Sequence, residues 1–228
     1  MIVLGIETAG PQGSVALWLD AGRVDQVEFA SSGRLGAELA PAIKRLLAAH
    51  GLGADTPPDL VAVDVGPGSY TGLRIGIAAA KGLAFAWSRP LVGVSAVDAL
   101  RTMAPPFEQV VCALDASRGE VYAASFRRAG DRVREERAPG LCDPRSLGAA
   151  LAGPAVVVGD AAPALADPDR GIVVADPAVA WPTAAQIAAL GRRQYLEGVR
   201  QDPLYLAPTY YRPNEAEEQR RKRSMKGQ

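Results

Sequence analysis

A glycine-rich loop between an apolar run and an alanine-rich segment constrains the fold of this chain more than any other feature. Residues 66–76 read Gly-Pro-Gly-Ser-Tyr-Thr-Gly-Leu-Arg-Ile-Gly. The preceding residues 60–65 are nearly all apolar and predict a buried strand. Residues 77–87 are rich in alanine and predict a helix. A helix that starts directly after such a turn presents unpaired backbone N–H groups, which can bind an anion.

A tight turn without a ligand explains the same loop. Glycine allows backbone angles that other residues avoid, and either Ser69 or Thr71 can cap the following helix. The loop lacks the lysine of a Walker motif, so physical grounds alone favour the capped turn.

Composition and charge narrow the class of protein. The 228 residues carry 25 basic and 25 acidic side chains, so the formal net charge is zero. That balance offers no electrostatic footprint for nucleic acid or an anionic membrane. The apolar N-terminus lacks a basic flank, and no apolar run is long enough to span a membrane. With two distant cysteines, Cys112 and Cys142, the sequence predicts a reduced, cytoplasmic protein that does not bind membranes.

The order of apolar runs predicts two α/β halves. The first half, residues 1–104, and the second, residues 105–214, meet at Pro105-Pro106, and a charged, disordered tail covers residues 215–228. Each half opens with an apolar strand that ends in an acid, Glu7 or Asp115, followed by a short loop and a second strand. This similarity predicts an internal duplication. The predicted strands are 2–8, 13–19, 22–29, 60–65, 91–94, 110–114, 121–125, 155–158 and 172–175, and the predicted helices are 35–50, 72–88, 95–103, 145–151 and 183–197.

Small residues recur at every fourth position of the helix that follows the glycine loop. They are Gly72, Gly76, Ala80, Ala84 and Ser88. Such a smooth ridge allows another backbone to approach closely. Two explanations stay open, packing against the protein's own sheet and a helix–helix interface between subunits. The partner interface predicted on the second explanation comprises Leu39, Ile43, Leu46, Gly72, Gly76, Ala80 and Ala84.

The glycine loop closely resembles the signature of the TsaB (YeaZ) family, accessory subunits in bacterial synthesis of the threonylcarbamoyladenosine modification of tRNA. Residues 4–17, 114–122 and 203–212 resemble three further stretches of that family, so the resemblance spans almost the whole chain. It implies an actin-like ATPase (ASKHA) fold with two related subdomains, each with a mixed sheet and flanking helices.

The resemblance also indicates a non-catalytic member of the family. The catalytic relative, TsaD, carries two metal-binding histidines four residues apart, and the matching positions here are Ala96 and Leu100. Neither side chain can bind a metal. The single histidine, His50, lies elsewhere, so no metal site and no cofactor are expected, and no catalytic residue is assigned.

Residues of a vestigial nucleotide cleft are implied by the same resemblance. Where the fold usually has aspartate this chain has Glu7, and the loop after it lacks a usual phosphate cradle. The cleft residues expected on this basis are Glu7, Ser14, Gly66, Gly68, Ser69 and Thr71.

The function implied by the resemblance is that of a scaffold. The chain would dimerise with the TsaD-type subunit, a TsaE-type ATPase would dock on the pair, and tRNA would be reached only through the complex. A homodimer of the chain alone stays open. The alternative from another class is a stand-alone enzyme of the same fold, a nucleotide-hydrolysing or peptidase-like protein.

Overall fold

A computed structural model describes residues 1–30, 35–130, 132–176 and 180–211 of the chain. The first half contains five strands and three helices. In chain order they are β1 (Val3–Glu7), β2 (Gln12–Trp18), β3 (Val24–Ala30), α1 (Leu35–Ala49), β4 (Leu60–Gly66), α2 (Tyr70–Trp87), β5 (Leu91–Ser95) and α3 (Ala96–Met103).

The second half contributes a further five strands and two helices within the described ranges. They are β6 (Gln109–Asp115), β7 (Val121–Ala129), β8 (Arg132–Cys142), α4 (Pro144–Ala150), β9 (Ala155–Val158), β10 (Ile172–Val174) and α5 (Ala184–Leu196). None of the helices in the described part of the chain has the length and hydrophobicity needed to cross a membrane.

The two five-stranded sheets have the same topology. The first runs β3-β2-β1-β4-β5 and the second runs β8-β7-β6-β9-β10. In each, the first three strands pair antiparallel and the last three pair parallel. The similarity that the sequence predicts for two strands therefore extends to the whole sheet.

The first sheet is covered on both faces, which explains why β4 is almost continuously apolar. Val61 and Val63 point into the core formed with α1 and α2. Leu60 and Ala62 point to the opposite face, where α5 packs. Alternate side chains of one strand thus enter two separate cores, as the period of two in a strand requires.

Helix α5 corrects the predicted division of the chain. Residues 105–214 are predicted to form the second half, but α5 packs against β1, β2 and β4 of the first sheet. The contact is close at Gly5, where a Cβ atom would overlap the backbone oxygen of Ala184. The chain therefore returns to the first half after residue 183. Thr183 is the N-cap residue of this helix, and its backbone N–H donates to Gln186 Oε1 at 3.0 Å as part of a capping box.

One strand differs from the sequence prediction. No strand is predicted between residues 126 and 144, yet β8 pairs with β7 along the sheet edge. Its first seven residues are exposed and five of them are charged, so it carries no apolar alternation. The helix predicted at 35–50 is confirmed as α1, which contains Pro41 in its interior.

A C-terminal segment, residues 200–211, runs back over the first half, and we call it the strap. Gln201 Oε1 accepts from the backbone N–H of Gly93 at 2.5 Å, and the N–H of Thr209 donates to the oxygen of Val65 at 2.8 Å. Leu206 is buried between these two points. The strap thus covers the end of β4 and the outer strand β5. The predicted charged tail, residues 215–228, lies outside the described residues.

Candidate functional site: the glycine loop, a buried acid pair and a helical groove

The glycine loop is a capped turn. Ser69 Oγ accepts from the backbone N–H of Gly72 at 3.2 Å, which caps α2 as the sequence predicts. Gly66 has a φ of 101°, a value that favours glycine. One of the backbone N–H groups at the N-terminus of α2, that of Gly72, therefore already has an acceptor within the protein.

The ridge of small residues on α2 packs against the protein itself. A Cβ atom on Gly72 would overlap the backbone oxygen of Thr8, and one on Gly76 would overlap Thr8 Oγ1. Thr8 Oγ1 also donates to the oxygen of Gly72 at 2.8 Å. Ala80 and Ala84 are buried on the same side. This corrects the predicted interface: Gly72, Gly76, Ala80 and Ala84 are used within the fold and present no free surface.

A neighbouring face of α2 lines an apolar groove with α1. The groove has a volume of about 660 Å³. Of the predicted interface residues, Leu39 and Ile43 line it, while Leu46 lies in the core beneath. The lining residues are Gly36, Leu39, Ala40, Ile43, Lys44, Leu47, Ala48, Leu52, Gly53, Ala54, Ile75, Ala79, Gly82, Leu83 and Trp87.

The α2 side of this groove is not among the predicted interface residues. Ile75, Ala79 and Leu83 follow one another at intervals of four residues, a spacing that places them on one helix face. That signal was available in the sequence. These three residues lie on the same helix as the ridge of small residues, and the predicted interface contains the ridge and not them.

Glu7 is fully buried at the end of β1, and one of its oxygens accepts three hydrogen bonds. Oε1 accepts from the backbone N–H groups of Ala9 and Gly10 at 2.6 and 2.8 Å. The indole Nε1–H of Trp181 donates to the same oxygen at 3.2 Å. The other oxygen, Oε2, has no partner among the described residues. The additional methylene of glutamate lets the carboxyl group fold back onto its own loop.

Asp64 forms a buried pair with Glu7. Ile6 and Val63 are register partners of the parallel strands β1 and β4, so the residues that follow them lie side by side on one face. Asp64 Oδ1 accepts from the N–H of Gly66 at 2.7 Å, and Oδ2 has no partner among the described residues.

The pair has perturbed acidity. Burial, followed by the charge of Asp64, raises the pKa of Glu7 to about 8. Burial also raises the pKa of Asp64 to about 7. Both shifts have the same direction, so the pair retains at least one proton at pH 6 to 7.

The other predicted cleft residues separate into different environments. Gly68 lies beside Ala9 and the Trp181 ring, close to Glu7. Ser69 and Thr71 instead line a cavity of about 230 Å³ with Thr8 and Gly10. Ser14 contacts α5 instead, where its Oγ accepts from the N–H of Ala184 at 2.9 Å. Of the cavities described for residues 1–30, 35–130, 132–176 and 180–211, none is lined by all six predicted residues.

Trp181 is the residue of this region that the sequence analysis missed. It lies 174 positions from Glu7, so no local pattern relates the two. Asp64 was also overlooked as a candidate, although an acid within an apolar run is a visible signal.

The two positions at which the resemblance expects metal ligands in a catalytic relative carry buried apolar side chains in this chain. Ala96 and Leu100 lie on α3 and are fully buried in the apolar core between α3 and the second sheet. The single histidine, His50, lies near the end of α1 with Nε2 at 2.8 Å from Asp25 Oδ2.

Comparison with known proteins gives this arrangement a family. Residues 31–156, more than half of the chain, match the family model described as TsaD, tRNA N6-adenosine threonylcarbamoyltransferase. The Escherichia coli protein named tRNA threonylcarbamoyladenosine biosynthesis protein TsaB is 32% identical over 95% of this chain and 96% of its own length. The Haemophilus influenzae protein of the same name is 33% identical over 60% of this chain and 57% of its own length.

A solved structure agrees with the fold. YeaZ from Pseudomonas aeruginosa superimposes with a TM-score of 0.75 over 92% of this chain and 99% of its own, at 24% identity. Two related mixed sheets with flanking helices, matched in this way, define an actin-like ATPase fold. The chain belongs to the TsaB (YeaZ) family. Both the fold class and the family resemblance stated from the sequence are confirmed.

Proposed function

We propose that this chain is a non-catalytic scaffold subunit in the synthesis of threonylcarbamoyladenosine in tRNA, and that it pairs with a TsaD-type relative through the groove between α1 and α2. The relatives' names support a role in this modification. The groove is the observation that supports the mode of pairing. We propose that a TsaE-type ATPase and tRNA join through the assembled pair, since the neutral chain offers little attraction to phosphates by itself.

The groove suits a helical partner. Apart from Lys44, its lining residues are apolar or glycine, and several of them are short. Ala40, Ala48 and Gly82 are exposed on its walls, so a partner's side chains can reach the helix backbones. Burial of these walls would remove apolar area from water, at roughly 25 cal/mol per Å².

A partner of the same fold is favoured over an unrelated one. The family model that matches this chain is that of the TsaD-type transferase. A relative of the same fold has helices equivalent to α1 and α2, so the two proteins can pair across a pseudo-twofold axis. A homodimer uses the same surface on both sides, and a second copy of this chain is therefore the competing occupant.

The absence of catalysis is proposed on the basis of the cleft side chains. The loop donors at Ala9 and Gly10 are used by Glu7. Ala96 and Leu100 are buried apolar side chains at the positions of the relative's metal ligands. A stand-alone nucleotide hydrolase or peptidase remains the alternative, and ATP turnover by the purified chain that is lost in Glu7→Ala would favour it.

Two adjacent alanines near the end of α1 offer a matched test of pairing. Ala48 lines the groove and Ala49 does not, and both are exposed. A glutamate at either position has a basic residue four positions earlier, Lys44 or Arg45, so the local helix energetics are similar. We expect Ala48→Glu to weaken binding to the TsaD-type protein of the same genome at least tenfold, because it buries a charge.

Isothermal titration and sedimentation measure the outcome. Ala49→Glu should bind within about twofold of the unmodified chain, and both variants should keep its thermal stability within about 0.5 kcal/mol. Equal losses in the two variants, or none in Ala48→Glu, would refute the groove as the pairing surface. Sedimentation of the chain alone shows whether it forms a homodimer, and sedimentation of the mixture shows whether the heterodimer replaces it.

A further inference from the structure

The segment that connects the second sheet to α5 contacts the end of β1 at a buried carboxyl group. Trp181 belongs to this segment, and its ring packs against the apolar cluster between α3 and the second sheet, most of whose buried residues belong to the second sheet. The same ring lies over Gly10 and Gly68 of the first half, where a Cβ atom would meet it. One side chain therefore connects the first half to a cluster built mainly by the second sheet.

The carboxyl group of Glu7 lies where the donors of this region converge. Two consecutive backbone N–H groups, of Ala9 and Gly10, and the indole N–H of Trp181 all point to Oε1. Successive backbone N–H groups directed at one oxygen are the arrangement by which loops bind carboxylates and phosphates. Here the acceptor comes from the chain itself.

The second oxygen of the carboxyl group is directed elsewhere. Oε2 of Glu7 and Oδ2 of Asp64 are buried without partners among the described residues, on side chains that lie next to each other. Buried polar atoms in native proteins are nearly always satisfied, so these two atoms require a common explanation. One proton held between the two carboxyl groups would satisfy both atoms and leave Oε1 free to accept from the loop.

We propose that Glu7 is an internal ligand: its carboxyl group occupies a small carboxylate-binding site formed by the β1–β2 loop, Asp64 and Trp181, and this contact latches the two halves together. The site takes a carboxyl group because it offers three N–H donors to one oxygen and an acidic neighbour to the other. A phosphate, which would keep its charge beside Asp64, fits less well.

Space for an external ligand is available once the side chain is shortened. Gly10 lines the cavity of about 230 Å³ beside α2, and Trp181 lines a second one of about 320 Å³ with Gln12, Ser14 and Glu28. Both cavities border the donors. In Glu7→Ala, acetate or formate can therefore reach the position of the lost carboxyl group.

Chemical rescue tests the proposal. We expect Glu7→Ala to have a lower melting temperature than the unmodified chain in sodium chloride, and sodium acetate of equal ionic strength to raise it saturably. A tenfold excess of acetate over its Kd corresponds to a shift of about 4 °C for a chain of this size. Glu7→Gln is the matched control: its amide oxygen still accepts from the loop, so acetate should produce no shift relative to chloride.

Three results would overturn the internal ligand. In the first, acetate does not stabilise Glu7→Ala. In the second, inorganic phosphate stabilises Glu7→Ala as much as acetate does. In the third, acetate stabilises Glu7→Gln as much as it stabilises Glu7→Ala. A Glu7→Ala chain that remains unfolded in both salts counts as the first of these.

Trp181→Phe tests the latch separately, because the ring remains and only the N–H donor is lost. Loss of this hydrogen bond should speed amide exchange at residues 180–183 roughly five- to tenfold, while Ala9 and Gly10 stay protected by Glu7. Unchanged exchange at residues 180–183 would refute the latch.

Discussion

The buried pair of Glu7 and Asp64 should make this protein less stable as the pH rises from 5 to 8. Most carboxyl groups act in the opposite sense, because native proteins usually stabilise the charged form. Here burial raises the pKa of Glu7 to about 8 and that of Asp64 to about 7. The unfolded chain loses both protons near pH 4 to 5, so the folded state binds more protons above that range.

The size of the effect follows from proton linkage. Each additional proton held by the folded state lowers the free energy of unfolding by about 1.4 kcal/mol per pH unit. The stabilising contribution is complete below the unfolded pKa values and is lost as the pH passes the folded ones. With at least one such proton between pH 5 and 7, the loss is about 3 kcal/mol. For a chain of this length that lowers the melting temperature by roughly 8 °C.

Amide substitutions isolate the pair from all other titrating groups. Glu7→Gln and Asp64→Asn keep the shape of each side chain and remove one titration each, so each should reduce the slope of stability against pH. The double variant should be nearly flat over this range. Chemical denaturation at pH 5, 6, 7 and 8 measures the four slopes. If the unmodified chain and the double variant have the same slope, the pair does not hold the proton and the reasoning fails.

Substitutions at three further positions test the packing around α2 and the strap. Gly76→Leu should lower the free energy of unfolding by several kcal/mol, because its Cβ overlaps Thr8 Oγ1, and a thermal melt should detect this without any partner present. Ser69→Ala should cost about 1 kcal/mol by removing the cap of α2, whereas Ser69→Asp, which can still accept from Gly72, should cost less in the same denaturation assay. Tyr210→Phe removes the hydroxyl that accepts from Arg74 Nε at 3.0 Å, so limited proteolysis should cut the strap faster, with cleavage elsewhere unchanged.

The elements that sequence patterns predicted well are those with two covered faces. The apolar runs of β1, β4 and β6 give strands directly, because nearly all of their side chains are buried on one face of the sheet or the other. β8 lies at a sheet edge with charged side chains, and a pattern of burial cannot reveal a strand that is barely buried. Its place is set by pairing with β7, which is a non-local property of the fold.

The site was predictable only in part for a similar reason. The capping role of Ser69 and the significance of Glu7 follow from residues close in sequence. The hydrogen bond from Trp181 to Glu7 joins positions 174 residues apart, and the contact of Ser14 with α5 spans 170. Both depend on how α5 returns to the first sheet. A single sequence contains no direct signal for that return.

The three faces of α2 explain how a glycine signature can persist without a ligand. One face, with Gly72 and Gly76, touches Thr8 so closely that only glycine fits. This contact holds the helix start against the β1–β2 loop, where the donors of Ala9 and Gly10 are occupied by Glu7. A second face lines the groove, and a third carries Arg74 and Lys81, which hold the strap. Any substitution that moves α2 away from Thr8 would therefore displace the groove wall and the strap as well. The packing of α2 alone is sufficient to require these glycines. The N–H donors of the β1–β2 loop, which could bind an anion, bind the carboxyl group of Glu7 instead.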